Sequence, residues 1–220
     1  METLTNLHKI LKEDTIYVPG YQRTYNWESP SSSEKYSQVA VFLEDILQQI
    51  NSTTRRPYYL GHFIFEKDGD SHRVVDGQQR LTTASILLSA VFMKIQTIRP
   101  LTAREEMLYE DTLKRGNFVY RFSTADSDNK FFRDYVIDQT LGKGGDPPTP
   151  SASRIADCFD YYSTALKDYD DTLLQHLLSE ISNAICTTHI AQDTTEAIRL
   201  FTFHNNRGQS CKVKWSRTLD

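Results

Sequence analysis

The feature that most constrains this chain is a long apolar run placed directly behind a short polar cluster. Between residues 81 and 98 the apolar side chains recur at helical spacing and form a face too broad for a surface helix: Leu81, Ala84, Leu88, Val91, Ile95 and Ile98, widened by Leu87 and Phe92. Such a helix is stable in water only when other elements surround it. A chain of 220 residues is long enough to build that core. The sequence therefore predicts a buried central helix around which the remaining elements pack.

Short β-rich segments lie on both sides of the predicted central helix. Residues 58–66 and 72–76 are two of them, and Asp68-Gly69 between them has the turn chemistry of a hairpin. Residues 16–18, 115–123 and 186–192 also favour extended structure. We therefore predict a small sheet with at least one antiparallel pair.

Helical periodicity fills most of the remaining chain. It predicts helices at residues 4–11, at 39–50 behind a Ser31/Glu34 capping box, at 126–137 behind an Asp or Ser cap, at 155–169, at 172–185, and at 194–204 behind Asp193. Helices mixed with strands, some joined by a hairpin, indicate an α+β fold rather than a doubly wound parallel sheet.

One segment interrupts this pattern with glycine, proline and serine. Residues 142–153 read GKGGDPPTPSAS, which is typical of a flexible loop or a joint between sub-domains. The division would then be a core at residues 1–141 and a helical region at 154–220 that returns to the core. A single domain with a long loop fits the same pattern.

Composition excludes several classes of protein. The net charge of −4 and the pI near 5.9 argue against non-specific coating of nucleic acid, which requires broad phosphate neutralisation, although residues 206–220 are locally basic. The N-terminus lacks the apolar core of a secretory signal, and the three cysteines have no ligand spacing. We expect a cytoplasmic protein with free thiols and no membrane association.

The polar cluster ahead of the central helix contains the candidate chemistry. Asp76 ends a predicted strand, Gly77 permits a turn, and Gln78, Gln79 and Arg80 begin the helix. Helix N-termini attract anions, and an arginine adds a planar fork that grips phosphate oxygens. A carboxylate there suits a divalent cation such as Mg²⁺, a water or the arginine, while amides position groups without adding charge. A purely structural alternative fits the same five residues: Asp76 caps the helix, and Arg80 is its exposed ion-pair partner.

Two distant clusters have the same character. Residues 21–27 read YQRTYNW and residues 203–209 read FHNNRGQ, and each combines an arginine with amide side chains at the end of an apolar segment. Their convergence with Asp76–Arg80 on one anionic ligand is a hypothesis that the fold tests.

The segments VPGYQRTYNW, YYLGHFIF, VVDGQQRLTT, YRFSTADSDNKFF and AIRLFTFHNNRG occur here in an order that resembles the DUF262 family, the GmrS-like N-terminal domain of GmrSD modification-dependent restriction systems. The resemblance implies a ParB/sulfiredoxin-like core with an added helical region. It also implies an NTP-binding and NTP-hydrolysing domain, with GTP and ATP not distinguished, that regulates an HNH-type nuclease partner acting on modified phage DNA.

Carried over by motif, the resemblance assigns catalytic roles to Asp76, Gln79 and Arg80, with Asp76 also holding a metal. It assigns nucleotide binding to Tyr21, Gln22, Arg23, Gly77, Gln78, Asn205, Asn206, Arg207 and Gly208. The sequence has neither a P-loop motif nor an HNH-like histidine cluster.

Three alternatives to an NTPase remain open at this point. The same clusters suit a sensor of modified DNA, in which Tyr21, Tyr25 and Trp27 stack on an exposed base. A ParB-like nuclease is a weaker candidate, because only Asp76 is well placed among the acids. An inactive scaffold for a partner nuclease is the last.

Overall fold

The computed structural model describes residues 2–13, 15–31, 36–53, 56–142 and 145–203. Its centre is a mixed six-stranded sheet. The strands of this sheet are β1 (Glu2–Asn6), β2 (Thr15–Tyr17), β3 (Tyr59–Asp68), β4 (Ser71–Asp76), β7 (Phe122–Ser123) and β8 (Ile185–Ala191). A separate small ribbon pairs β5 (Lys114–Arg115) with β6 (Val119–Tyr120), and the strand order in the main sheet is β1-β8-β3-β4-β2-β7.

The sheet contains both strand orientations, as expected for a mixed fold. β3 and β4 form the predicted hairpin, and β8 lies parallel to β3 on the other side. β2 runs parallel to both β4 and β7. The expected combination of helices and a mixed sheet is confirmed, whereas kinship with ParB and sulfiredoxin stays a prediction.

The helices are α1 (Leu7–Glu13), α2 (Gln38–Ile50), α3 (Gln78–Ile98), α4 (Ala103–Thr112), α5 (Asp126–Phe132), α6 (Pro150–Ala165), α7 (Asp171–Ser182) and α8 (residues 194–203). A π-helical turn at Arg133–Ile137 extends α5, and the Ser89 hydroxyl of α3 donates to the Val136 carbonyl within that turn.

The buried central helix is confirmed. Five of the six residues on its predicted face are fully buried, whereas Ile98 at its end is 46% exposed. Helix α3 has the length and composition of a membrane span, but most of it is enclosed by the fold, as expected for a core helix. Cys158 and Cys186 are free and buried, as expected, and burial raises the pKa of each thiol to about 12.

Several local predictions are wrong. The helix predicted at residues 4–11 begins only at Leu7, because the backbone groups of residues 2–6 pair with β8 instead. The N-cap of α2 is Ser37, whose hydroxyl accepts from the Ala40 N–H, and not Ser31; Glu34 lies outside the described residues. Helix α5 has Ala125 at its N-cap rather than Asp or Ser. The strand predicted at 115–123 is divided among three two-residue strands.

Candidate functional site

The strand-to-helix junction predicted at Asp76–Arg80 is present, with a left-handed glycine at its corner. β4 ends at Asp76, Gly77 has φ +98°, and α3 begins at Gln78. A Cβ on Gly77 would lie 2.3 Å from Cδ1 of Phe63. Both the backbone conformation and the space therefore require glycine here.

Two of the three polar clusters meet at this junction. The Gln22 side chain donates to the Val75 carbonyl at 3.0 Å, and the Gln78 amide donates to Gln22 Oε1 at 3.3 Å. The turn at residues 20–22 therefore lies against the end of β4 and the start of α3.

Gln79 fixes the same loop from inside. Its Oε1 accepts the Asn26 N–H at 2.9 Å, and its Nε2 donates to the Thr24 carbonyl at 3.1 Å. Gln78 and Gln79 are both buried. Their amides therefore hold the 22–26 loop in place rather than facing solvent.

Arg80 makes its hydrogen bonds mainly with strand β3. Its guanidinium donates to the carbonyls of Leu60 at 3.3 Å and His62 at 2.8 Å, and it lies 5.1 Å from the centroid of the Phe63 ring. It approaches Asp76 only to 4.0 Å. The space for it exists because β3 has an irregular register at Gly61, whose φ is +119°.

Arg23 is the exposed cation of the first cluster. No hydrogen bond or ion pair joins its side chain to the part of the chain that the structure describes. Its neighbour Tyr21 is 65% exposed. The other two aromatic residues of this motif are packed instead: Tyr25 is buried with its hydroxyl 2.9 Å from Thr83 Oγ1, and Trp27 contacts Phe42.

The third cluster, with Asn205, Asn206, Arg207 and Gly208, lies outside the described residues. The helix before it is described: Ala197 of α8 is buried in a small cluster with Ile64, Val75 and Ala191, and Leu200 packs against that cluster. Helix α8 is therefore anchored on the residue that directly precedes Asp76.

The charged side chains at the junction are Asp76 and Arg80 of the strand–helix turn and Arg23 of the neighbouring loop. The first turn of α3 contains no acidic residue, and Asp76 is partly exposed. Across the described ranges, no group of three or more His, Cys, Asp or Glu side chains could hold a metal. A single carboxylate fits Mg²⁺, which takes one or two protein carboxylates together with substrate phosphates and water.

Gly61 and His62 contribute to the junction but are not among the site residues that the sequence predicted. Gly61 leaves space for Arg80, and the His62 carbonyl accepts from it. A glycine inside the β-rich segment YYLGHFIF is a signal for a bulge or a close approach, and here the close approach is Arg80. His62 lies within hydrogen-bonding distance of Thr187 on β8, 3.0 Å from Nδ1 to Oγ1.

The fold and the junction define a mixed α/β domain with a strand–turn–helix corner at a left-handed glycine. The sequence model described as "GmrSD restriction endonuclease, N-terminal domain" matches residues 6–212, so the chain belongs to that family. The family indicates a role in a restriction or defence system, where this domain is typically paired with a nuclease domain. A search of curated proteins found no match.

Proposed function

We propose that this domain binds a nucleoside triphosphate at the β4–α3 junction and hydrolyses it to regulate the nuclease of a restriction system. The observation that carries the proposal is the glutamine clasp: Gln78 and Gln79 tie the 22–26 loop, with the exposed Arg23, to the start of α3. A guanidinium and the N-terminus of a long helix beside a left-handed glycine form a phosphate site without a P-loop.

Some residues of the junction contact the phosphates in this proposal, and others hold those residues in position. Backbone N–H groups at Gly77 and in the first turn of α3 receive phosphate oxygens, and Arg23 neutralises charge on the transferred phosphoryl group. Gln22, Gln78, Gln79 and Arg80 position these groups, because their polar atoms already bond the protein. Tyr21 borders the site beside Arg23.

Asp76 has the hydrolytic role. Its carboxylate orients a water for attack on the γ-phosphorus, and cleavage of the bond to the β-phosphate oxygen releases a nucleoside diphosphate and phosphate. Mg²⁺ held by Asp76 would neutralise phosphate charge when bound.

The third motif joins the same site in this proposal. Helix α8 packs through Ala197 and Leu200 in the cluster that contains Val75, and Asn205 follows Phe203 by only two residues. Asn205, Asn206, Arg207 and Gly208 then contribute further nucleotide contacts, as the family motif implies.

Calorimetry with a non-hydrolysable NTP and Mg²⁺ tests the site. We expect Arg23→Gln and Asp76→Ala to weaken binding by at least about tenfold, the effect of losing one charge-assisted contact. Arg56→Gln, which alters an exposed arginine outside the proposed site, is the matched control and should bind like the native protein. Equal, tight binding in every variant would remove the proposed site.

A sensor of modified DNA is the second candidate, and the exposure of Tyr21 beside Arg23 favours it. A flipped or unpaired base would stack on this ring while Arg23 contacts a phosphate. Binding would then be steeply salt-dependent, tighter for modified than for plain DNA, and lost in Tyr21→Ala but not in Tyr36→Ala, which alters another exposed tyrosine.

A further inference from the structure

A cavity lies away from the β4–α3 junction, between helices α1, α4 and α7. Its volume is about 370 Å³, at the lower end of the range for small-molecule sites. Apolar side chains from α4 and α7 form part of its wall, and cationic side chains from α1 and α4 form another: Lys12 and Arg104, with His8 beside them.

Asp111 on one wall is surrounded by more positive charge than it can neutralise. Its Oδ2 is 3.0 Å from both His8 Nε2 and Lys12 Nζ, and its Oδ1 is 3.3 Å from Arg115. The Nη2 of Arg121 lies 3.9 Å away. Three permanent cations and a histidine thus face one buried carboxylate.

Arg121 shows the consequence of this excess. Its side chain is only 7% exposed, and its Nη2 has no hydrogen-bond partner among the described residues. Burial and then repulsion from Arg115 lower the pKa of Arg121. Lys12, Arg115 and Arg121 together carry more charge than Asp111 offsets, so these four side chains are net positive.

The other carboxylate of the cavity is already occupied. The Glu105 carboxylate accepts hydrogen bonds from Nη1 and Nη2 of Arg99, each at 2.9 Å, and further ones from Thr102 and Gln175. Glu105 is therefore not available to pair with Arg104, whose side chain makes no ion pair with the described residues.

An unsatisfied buried hydroxyl lines the same cavity. Ser182 at the end of α7 is 3% exposed, and its Oγ has no hydrogen-bond partner in the described structure. Buried hydroxyls are normally hydrogen-bonded, so we expect Ser182 Oγ to bond a water or a ligand atom inside the cavity.

We propose that this cavity binds a small phosphate-bearing molecule. The cations of α1 and α4 suit a dianionic phosphate better than a ligand with a single carboxylate. The reason is that Asp111 and Glu105 neutralise only part of the positive charge. The ligand is either inorganic phosphate or a phosphate ester whose organic part packs on the apolar wall formed by Leu108 and Leu178. This site is independent of the nucleotide site proposed above.

Thermal unfolding in phosphate against chloride of equal ionic strength tests the proposal. We expect the Tm of the native protein to rise by at least about 2 °C in phosphate well above its Kd. Arg104→Gln should abolish the rise, because Arg104 lines the cavity but holds no other group. Arg115→Gln, which contacts the same Asp111 but does not line the cavity, should keep it.

Two further arms separate the sources of phosphate and the two sites. Glycerol phosphate and a nucleoside monophosphate, measured by calorimetry, bind more tightly than inorganic phosphate if the apolar wall contributes, and equally if phosphate alone is recognised. Arg23→Gln should leave the effects of inorganic phosphate and of glycerol phosphate unchanged. Absence of a phosphate effect in the native protein, an equal effect in Arg104→Gln and Arg115→Gln, or loss of the effect in Arg23→Gln would each overturn the proposal.

Discussion

The guanidinium of Arg80 occupies the space that a side chain on Gly61 would need: a Cβ built on Gly61 would lie 1.7 Å from Arg80 Nη1. The arginine of the DGQQR motif and the glycine of the preceding β-segment are therefore one structural unit. Arg80 bonds the carbonyls on either side of Gly61 and so joins α3 to β3.

Gly61→Ala should consequently destabilise the protein by about 2–4 kcal/mol, from backbone strain at φ +119° and from displacement of Arg80. The measurement is urea unfolding. Gly69→Ala also has positive φ but has open space around it, so it should cost only about 1 kcal/mol. The double variant Gly61→Ala/Arg80→Ala should lose less unfolding free energy than the two single variants lose in sum. Strictly additive losses would show that Gly61 and Arg80 are not coupled.

Gln79 requires an amide because it accepts from one backbone group and donates to another. Gln79→Glu places a carboxylate oxygen against the Thr24 carbonyl in place of a donor. We expect a loss of about 1–3 kcal/mol in the free energy of unfolding, the cost of an unmade buried hydrogen bond. Nucleotide affinity should fall as well, since the loop that presents Arg23 is released. The exposed Gln48→Glu introduces the same charge and should change neither quantity.

Asp76 is the one carboxylate of the proposed nucleotide site, which makes its role separable from that of Arg23. Without Mg²⁺, Asp76→Asn should bind NTP as tightly as the native protein or more tightly, because a negative charge is removed from the phosphates. With Mg²⁺, the native protein should gain affinity and the variant should not. Titrations with and without the metal decide this, and an equal gain in both proteins would show that Asp76 does not hold Mg²⁺.

Glu105 couples stability to pH. Its hydrogen bonds with Arg99 are the main cause that holds the Glu105 pKa well below its ordinary value. A depressed carboxylate pKa contributes stability above the ordinary glutamate pKa of about 4.3, and that contribution is lost as pH falls below it.

Glu105→Gln should therefore be less stable than the native protein at pH 7, by about 1–3 kcal/mol. The difference should shrink as pH falls from about 5 to 3, because the unfolded-state carboxylate takes up a proton there at its ordinary pKa while the native carboxylate stays ionised. Urea unfolding across this range provides the measurement. Glu106→Gln, an exposed neighbour, should follow the native curve, and a constant difference at every pH would argue against the ion pair.

The sequence alone predicted an element correctly where the residues that determine it are neighbours in the chain. The β3–β4 hairpin follows from Asp68-Gly69 between two β-rich runs, and α3 follows from the breadth of its apolar face, because turn chemistry and side-chain periodicity are properties of neighbouring residues. The family motifs, and with them the membership that the match over residues 6–212 establishes, were likewise contained in the sequence.

Only the tertiary structure decided what the polar residues of the junction do. Gln79 bonds atoms more than fifty positions away along the chain, and Arg80 bonds carbonyls eighteen and twenty positions away. No local pattern encodes which carbonyl a buried amide or guanidinium will meet, because that depends on how distant strands and loops pack. The same reason explains why residues 2–6 form a strand: their partner, β8, lies at the other end of the described chain.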